Sequence, residues 1–238
     1  MNIRLKRYQK GFEHSYAYGV FPTIELLNRR PGCALRVLLS SKGEGSDGVA
    51  RIRELCRDAS VPVEVADRTL QRLGARDNEH AVGVFRKFEA PLQADADHVL
   101  LYQPGDMGNL GAIVRTMLAF DVLDLAVITP AADLFHPKVV RASMGGVFQI
   151  RFGAFTGLED YRSHFDRKLY ALATEEGTAL PQAEFSHPWT LLLGGEGPGL
   201  PEQYLRAGRC VRIPQSARVD SLNLAVAAGV ALYEAAGR

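Results

Sequence analysis

The last quarter of the chain constrains it most. From Leu191 it reads LLLGGEGPGLP, then CVRIP, then QSARVDSLNLAVAAGVALYEAAGR. Two short apolar runs, Leu191 to Leu193 and Cys210 to Pro214, each break into a loop of small residues. The second loop feeds a segment with Leu, Ala, Val or Gly at nearly every position. A helix that is apolar all round is buried against other elements. Strands that run into loops and then into a buried helix imply a layered α/β body, and polar groups on such loops are the usual carriers of chemistry. Glu196, Ser221 and Asn223 stand at these exits.

The rest of the chain keeps the same alternation. The segment PTIELLNRR from Pro22 predicts a helix, Leu35 to Leu39 a strand, and GVARIRELCRDA a helix begun at Asp47. Val61 to Val65 is a second strand, Leu70 to Leu73 a short helix, and Ala81 to Phe88 a third strand. The basic first dozen residues lack a period and read as an arm or a frayed helix. The stretch EAPLQADAD, residues 89–97, mixes Pro, acidic and small residues and marks a domain boundary. Beyond it come a strand from His98, a helix from Leu110 to Phe120, a strand from Leu125, a helix from Pro137 to Ala142 and strands near Phe148 and Leu169. Strands separated by helices predict a parallel sheet, whose ligands bind beyond the strands' carboxyl ends.

Composition excludes several classes. With 47% hydrophobic residues in 238, the chain can bury a full core. Its net charge of +1 conceals an asymmetry: residues 1–90 carry 16 Lys/Arg against 11 Asp/Glu, the remainder 12 against 16. A basic front half suits an anionic partner, nucleic acid being the common case, although scattered solvated arginines give the same count. Cys33, Cys56 and Cys210 form no CxxC pair and the six His residues have no ligand spacing, so neither a disulfide framework nor a metal is expected. No apolar stretch follows the basic start, and Leu222 to Ala236 is too short to span a membrane. A cytoplasmic protein is expected.

Within QPGDMGNLGAIVRT, Asn109 falls at or near a helix start, as a cap or a ligand. Arg115 shares a helical face with Gly111 and Ala119, while Ile113, Val114, Met117 and Leu118 form the core face. GGEGPGLP lacks the GxGxxG order of a dinucleotide loop, so a nucleotide-dependent oxidoreductase is poorly supported. Its glycines let the backbone wrap tightly, and Glu196 among them reads equally as ligand contact or turn residue. Ser221 reads as the N-cap of the last helix. Asn223 would then be an amide buried in an apolar helix, a cost of about 1 to 3 kcal/mol unless it finds a partner.

NxGxxxR from Asn109, GGEGxGL from Gly194 and IPxxxxVxSLNxAxA from Ile213 together resemble, in order and separation, the three motifs of the SpoU/TrmH family of RNA ribose 2′-O-methyltransferases in the SPOUT superfamily. The resemblance covers residues 97–238. Residues 1–90 are similar in pattern and length to the small ribosomal-protein-like α/β RNA-binding domain of many members. The resemblance implies an α/β fold with a parallel-sheet core and a deep trefoil knot, S-adenosylmethionine in the knot loops, and a homodimer built partly from the last helix. Gly194, Ile213 and Leu222 match the cofactor-holding positions. Asn109, Arg115, Glu196, Ser221 and Asn223 match the polar catalytic set. Met107, Gln215, Ala217 and Ala225 depart from frequent family choices, and Asp121 stands where a Gly often closes the first helix.

The implied reaction aligns a ribose 2′-hydroxyl with an activated methyl donor and removes one proton. Arg115 matches the family's proposed base, but a guanidinium stays charged and suits a phosphate clamp better. Ribosomal RNA is the expected substrate. Transfer RNA is the alternative, as is a non-catalytic RNA-binding or assembly protein that retains the fold.

Overall fold

The computed structural model describes residues 5–195, 197 and 199–237. Chain order begins β1 (His14–Tyr18), α1 (Val20–Arg29), β2 (Ala34–Leu39), α2 (Asp47–Asp58), β3 (Val63–Val65), α3 (Asp67–Leu73) and β4 (Ala81–Arg86). The strands form one sheet in the order β1-β4-β2-β3, with β4 antiparallel to both neighbours and β2 parallel to β3. Period-two alternation sends Val37 and Leu39 to a core with Ile52 and Cys56, and Leu38 to the opposite one with Tyr16, Tyr18 and Leu70. The strand β1 escapes the sequence reading because HSYAY has no apolar run. Nor are the residues before it a loose arm: Leu5 is in the core, and the Tyr16 hydroxyl donates to the carbonyl of Lys6 at 2.6 Å.

After the linker come β5 (His98–Tyr102), α4 (Met107–Ala119) and β6 (Asp124–Ile128). Then follow α5 (Pro137–Ala142), β7 (Arg151–Phe155), α6 (Leu158–His164), β8 (Lys168–Ala173), β9 (Thr178–Ala179), β10 (Trp189–Leu193), α7 (Glu202–Arg206), β11 (Arg209–Arg212) and α8 (Leu224–Ala235). Seven strands form an all-parallel sheet in the order β7-β6-β5-β10-β8-β11-β9. Its central strand β10 is buried along its whole length, which is why WTLLL has no polar alternation. The α/β class with a parallel core is as expected.

The chain divides into two compact units: residues 1–88 with 133–149, and residues 89–132 with 150–238. The first split falls between Phe88 and Glu89, and residues 133–149, inside the stretch expected as one continuous domain over 97–238, group with the first unit. The segment around α5 packs with the first unit because it is apolar there: Phe85 meets Phe135 and Phe148 edge to face or tilted, and Val139, Val140 and Val147 are buried. Ion pairing of Arg141 with Glu79 and a 2.9 Å bond from Gln149 to Glu25 fasten it. No helix among the described residues is long and apolar enough to cross a membrane.

Candidate cofactor and active site

Loops leaving the carboxyl ends of β8, β10 and β11 enclose one cavity of about 690 Å³. These three strands lie side by side in the sheet, at the end where parallel sheets take ligands. The loop after β10 is folded back on itself. A Cβ on Gly194 would come 2.5 Å from the carbonyl carbon of Gly199, and one on Gly195 would come 2.9 Å from the carbonyl oxygen of Tyr102 on β5. Gly197 and Gly199 take φ of 103° and 72°, which glycine adopts without strain. Gly194 therefore lines the cavity through its backbone, as do the neighbouring glycines.

Ile213 and Leu222 supply apolar wall from the loop after β11, and Ser221 and Asn223 line the same cavity. Two expectations about this loop are corrected. Asn223, not Ser221, is the N-cap of α8: its Oδ1 accepts from the N–H groups of Ala225 at 2.9 Å and Val226 at 3.3 Å. It is exposed and not a buried helical amide, because the helix begins at Leu224, two residues later than the apolar pattern does. Its Nδ2 donates to Oδ1 of Asn109 at 3.1 Å, which joins the first and third motifs directly. Ser221 is exposed, and its hydroxyl has no hydrogen-bond partner among the described residues.

Asn109 sits in the first turn of α4, whose N-cap is Asp106; Asp106 Oδ1 accepts from the Asn109 N–H at 2.7 Å. Parallel packing of α4 on α8 sets this meeting. Asn109 faces Asn223, Thr116 lies 3.6 Å from where a Gly229 Cβ would stand, and Phe120 meets the Tyr233 ring edge-on at 6.2 Å. Arg115 is not on the cavity wall. It projects from the exposed side of α4, and among the described residues it has no ion pair or hydrogen bond. Around it Gly108 and Ala119 are exposed and Ala112 half-buried, while Gly111, one turn earlier, is buried with Leu110, Ile113, Val114 and Met117. Glu196 lies outside the described residues.

The cavity also contains carboxylates not singled out from sequence: Glu175 and Glu176 after β8, and Asp220. The TEEG run at the end of an apolar strand was the available signal. Cys210 is held protonated, chiefly by burial and then by the Glu176 charge, so it is no nucleophile. Among the described residues no group of three His, Cys, Asp or Glu side chains could hold a metal ion.

The helix α8 is not enclosed within the chain. Ala228, Ala231 and Leu232 are buried, but Val226 is 53%, Val230 38% and Tyr233 52% exposed. Their spacing puts them on one stripe.

Fold and site define an α/β protein with a parallel sheet and a glycine-walled ligand cavity at the carboxyl ends of three adjacent strands. Residues 97–233 match the SpoU rRNA methylase family, and the chain belongs to it. It is 29% identical to a 23S rRNA (guanosine-2′-O-)-methyltransferase of Acinetobacter baylyi, over 92% of this chain and 96% of that one. It also superposes on an AdoMet-bound rRNA methyltransferase of Sinorhizobium meliloti with a TM-score of 0.78 and 29% identity, over 94% of this chain and 87% of that one. The SpoU methyltransferase AviRb of Streptomyces viridochromogenes, solved with AdoMet, gives the same TM-score at 26% identity, over 94% and 90%.

Proposed function

We propose that this chain methylates a ribose 2′-hydroxyl of ribosomal RNA with S-adenosylmethionine as donor. One observation carries the reading: the second and third motifs wall a single cavity, and the first is tied to its rim through Asn109 and Asn223. The cavity suits the cofactor. Its volume falls in the range of small-molecule sites. Leu200, Ile213 and Leu222 offer apolar surface to a base, the glycine turn offers backbone groups, and Glu175, Glu176 and Asp220 complement a cationic ligand.

When bound, S-adenosylmethionine supplies a methyl group activated by its sulfonium. The chain's own residues hold and orient. Gly194, Ile213 and Leu222 hold the donor; Ser221, Asn223 and Asn109 align the ribose, with Glu196 in the same polar set. Arg115 grips a neighbouring phosphate, and its positive charge favours loss of the hydroxyl proton to solvent water.

Arg115 stands away from the cavity of its own chain, so it serves the cavity of a second copy. The exposed stripe of α8 and the small-residue face of α4 support a homodimer formed there. The first unit binds the RNA. The β10, β8, β11 order, with three loops crowded at one end, supports a carboxyl-terminal trefoil knot. A cytoplasmic site of action accords with this substrate.

Calorimetry with S-adenosylmethionine and NAD, followed by incubation with labelled donor and bulk RNA, tests the reading. We expect binding of the first ligand alone and label in ribosomal RNA. Donor binding without incorporation would instead make the chain a non-catalytic RNA-binding protein.

A further inference from the structure

In the first unit, side chains of one face of β1 continue outward into a row of rings. Tyr18, Tyr16, His14 and Phe12 follow at centroid spacings of 5.9, 5.5 and 5.1 Å. The inner two are buried and the outer two half-exposed. Phe12 and His14 are stacked, with only 15° between their planes, and Tyr8 meets Phe12 edge-on at 6.5 Å. The row thus ends at the surface in a flat ring.

This end is built and not frayed. The N–H of Phe12 donates to the Gln9 carbonyl at 3.0 Å, the Lys87 ammonium donates to the Lys10 carbonyl at 2.7 Å, and the Lys87 N–H donates to the Glu13 carbonyl at 2.9 Å. The Tyr16 hydroxyl has one proton, which goes to the Lys6 carbonyl, so at 3.2 Å His14 Nε2 must be its donor. This fixes the His14 tautomer and ring plane. Burial and the Lys87 charge lower its pKa, leaving a neutral ring.

The surroundings are basic. Lys6, Arg7 and Lys10 are exposed along the segment, and Arg86 is exposed on β4 directly opposite His14 in register. None of the four forms an ion pair among the described residues, and the nearby Asp133 is engaged by Tyr8 and Lys87. Flat rings flanked by unpaired cations are what a single-stranded nucleic acid needs: a π-face for a base and charges for its phosphates.

We infer that Phe12 and His14 form a stacking platform for an unpaired base of the RNA substrate, with Lys6, Lys10 and Arg86 holding the adjoining phosphates. This rests on the RNA reading above and names the surface and the state of the RNA it takes.

The whole chain and its variants are titrated into a labelled single-stranded RNA of about 12 nucleotides, followed by fluorescence anisotropy across a range of salt. Phe12→Leu, which keeps apolar bulk without the ring, weakens binding about tenfold, and Phe12→Trp retains it. Added RNA also quenches the introduced tryptophan beyond any change at Trp189, the single native tryptophan. Lys10→Glu with Arg86→Glu flattens the salt dependence. The far-ultraviolet circular dichroism spectrum and urea midpoint of Phe12→Leu stay near the wild-type values, which reports an intact first unit. Wild-type RNA affinity in Phe12→Leu, or no added quenching in Phe12→Trp, overturns the platform while leaving the methyltransferase reading in place. A wild-type chain that does not bind this RNA overturns the platform, and one that in addition puts no label into ribosomal RNA overturns both.

Discussion

Asn223 shows how one side chain serves both helix and site. Its carbonyl oxygen caps α8 and its amide group reaches Asn109. Asn223→Ala loses both and should cost about 1 kcal/mol in urea unfolding, with a larger fall in methyl incorporation. Asn223→Asp keeps the cap, so its stability should stay near wild type while its activity falls. Equal stability of the two variants would deny the capping role. The apolar run around Asn223 implied a buried amide in need of a partner; the amide is instead exposed, and its partner Asn109 is set by the packing of α4 on α8. A second residue-scale device lies at the strands' other end, where Thr190, His98, Asp124 and Arg151 form one row across β10, β5, β6 and β7. His98 Nε2 donates to the Gln93 carbonyl at 2.8 Å, and its Nδ1 accepts from the Tyr161 hydroxyl at 2.8 Å. Burial above all lowers its pKa to about 4, against an ordinary value of about 6.5. Between these values the unfolded chain binds a proton that the folded chain refuses, so stability falls as pH drops from about 6.5 to about 4, by up to roughly 3 kcal/mol. Urea midpoints at pH 7 and pH 4.5 should differ more for wild type than for His98→Gln.

At the scale of elements, the periodic ones were readable and those dictated by distant partners were not. The helix α5 and the strands β2, β5 and β10 announce themselves by apolar runs or spacing. The strand β1 depends on pairing with β4, while α6 and α7 are single short helices without an extended period. The end of α4 was marked by an oddity, Asp121 in place of a glycine. There the Val122 N–H bonds the Met117 carbonyl at 3.0 Å and the Asp121 N–H that of Leu118 at 3.4 Å, a Schellman turn with Asp121 at φ 56°. A residue with a Cβ is disfavoured in that conformation. Asp121→Gly should therefore raise stability by about 0.5 to 1 kcal/mol, read as a higher urea midpoint; a lower one would mean that the aspartate's own contacts outweigh its backbone cost.

The whole molecule turns on where Arg115 acts. Sequence order placed it with the other polar residues, but on a single chain it projects from the exposed side of α4, off the cavity wall. A linear motif cannot say which copy of a site its members serve. If a second chain covers Val226, Val230 and Tyr233, Val230→Asp places an unpaired charge in that contact, and sedimentation should show monomers where wild type shows dimers. Incorporation of methyl groups should fall at least tenfold in the same variant if the site needs both copies. Mixing separates this from simple destabilisation. Arg115→Ala has an intact cavity but no clamp, and Leu222→Trp has the clamp but a filled cavity, so each alone should be inactive. In a mixed dimer, one cavity carries both defects and the other carries neither. With random reassortment about half the dimers are mixed, so about a quarter of wild-type activity returns. An arginine acting within its own chain would restore none, because every subunit in the mixture would still carry one lesion in its own site.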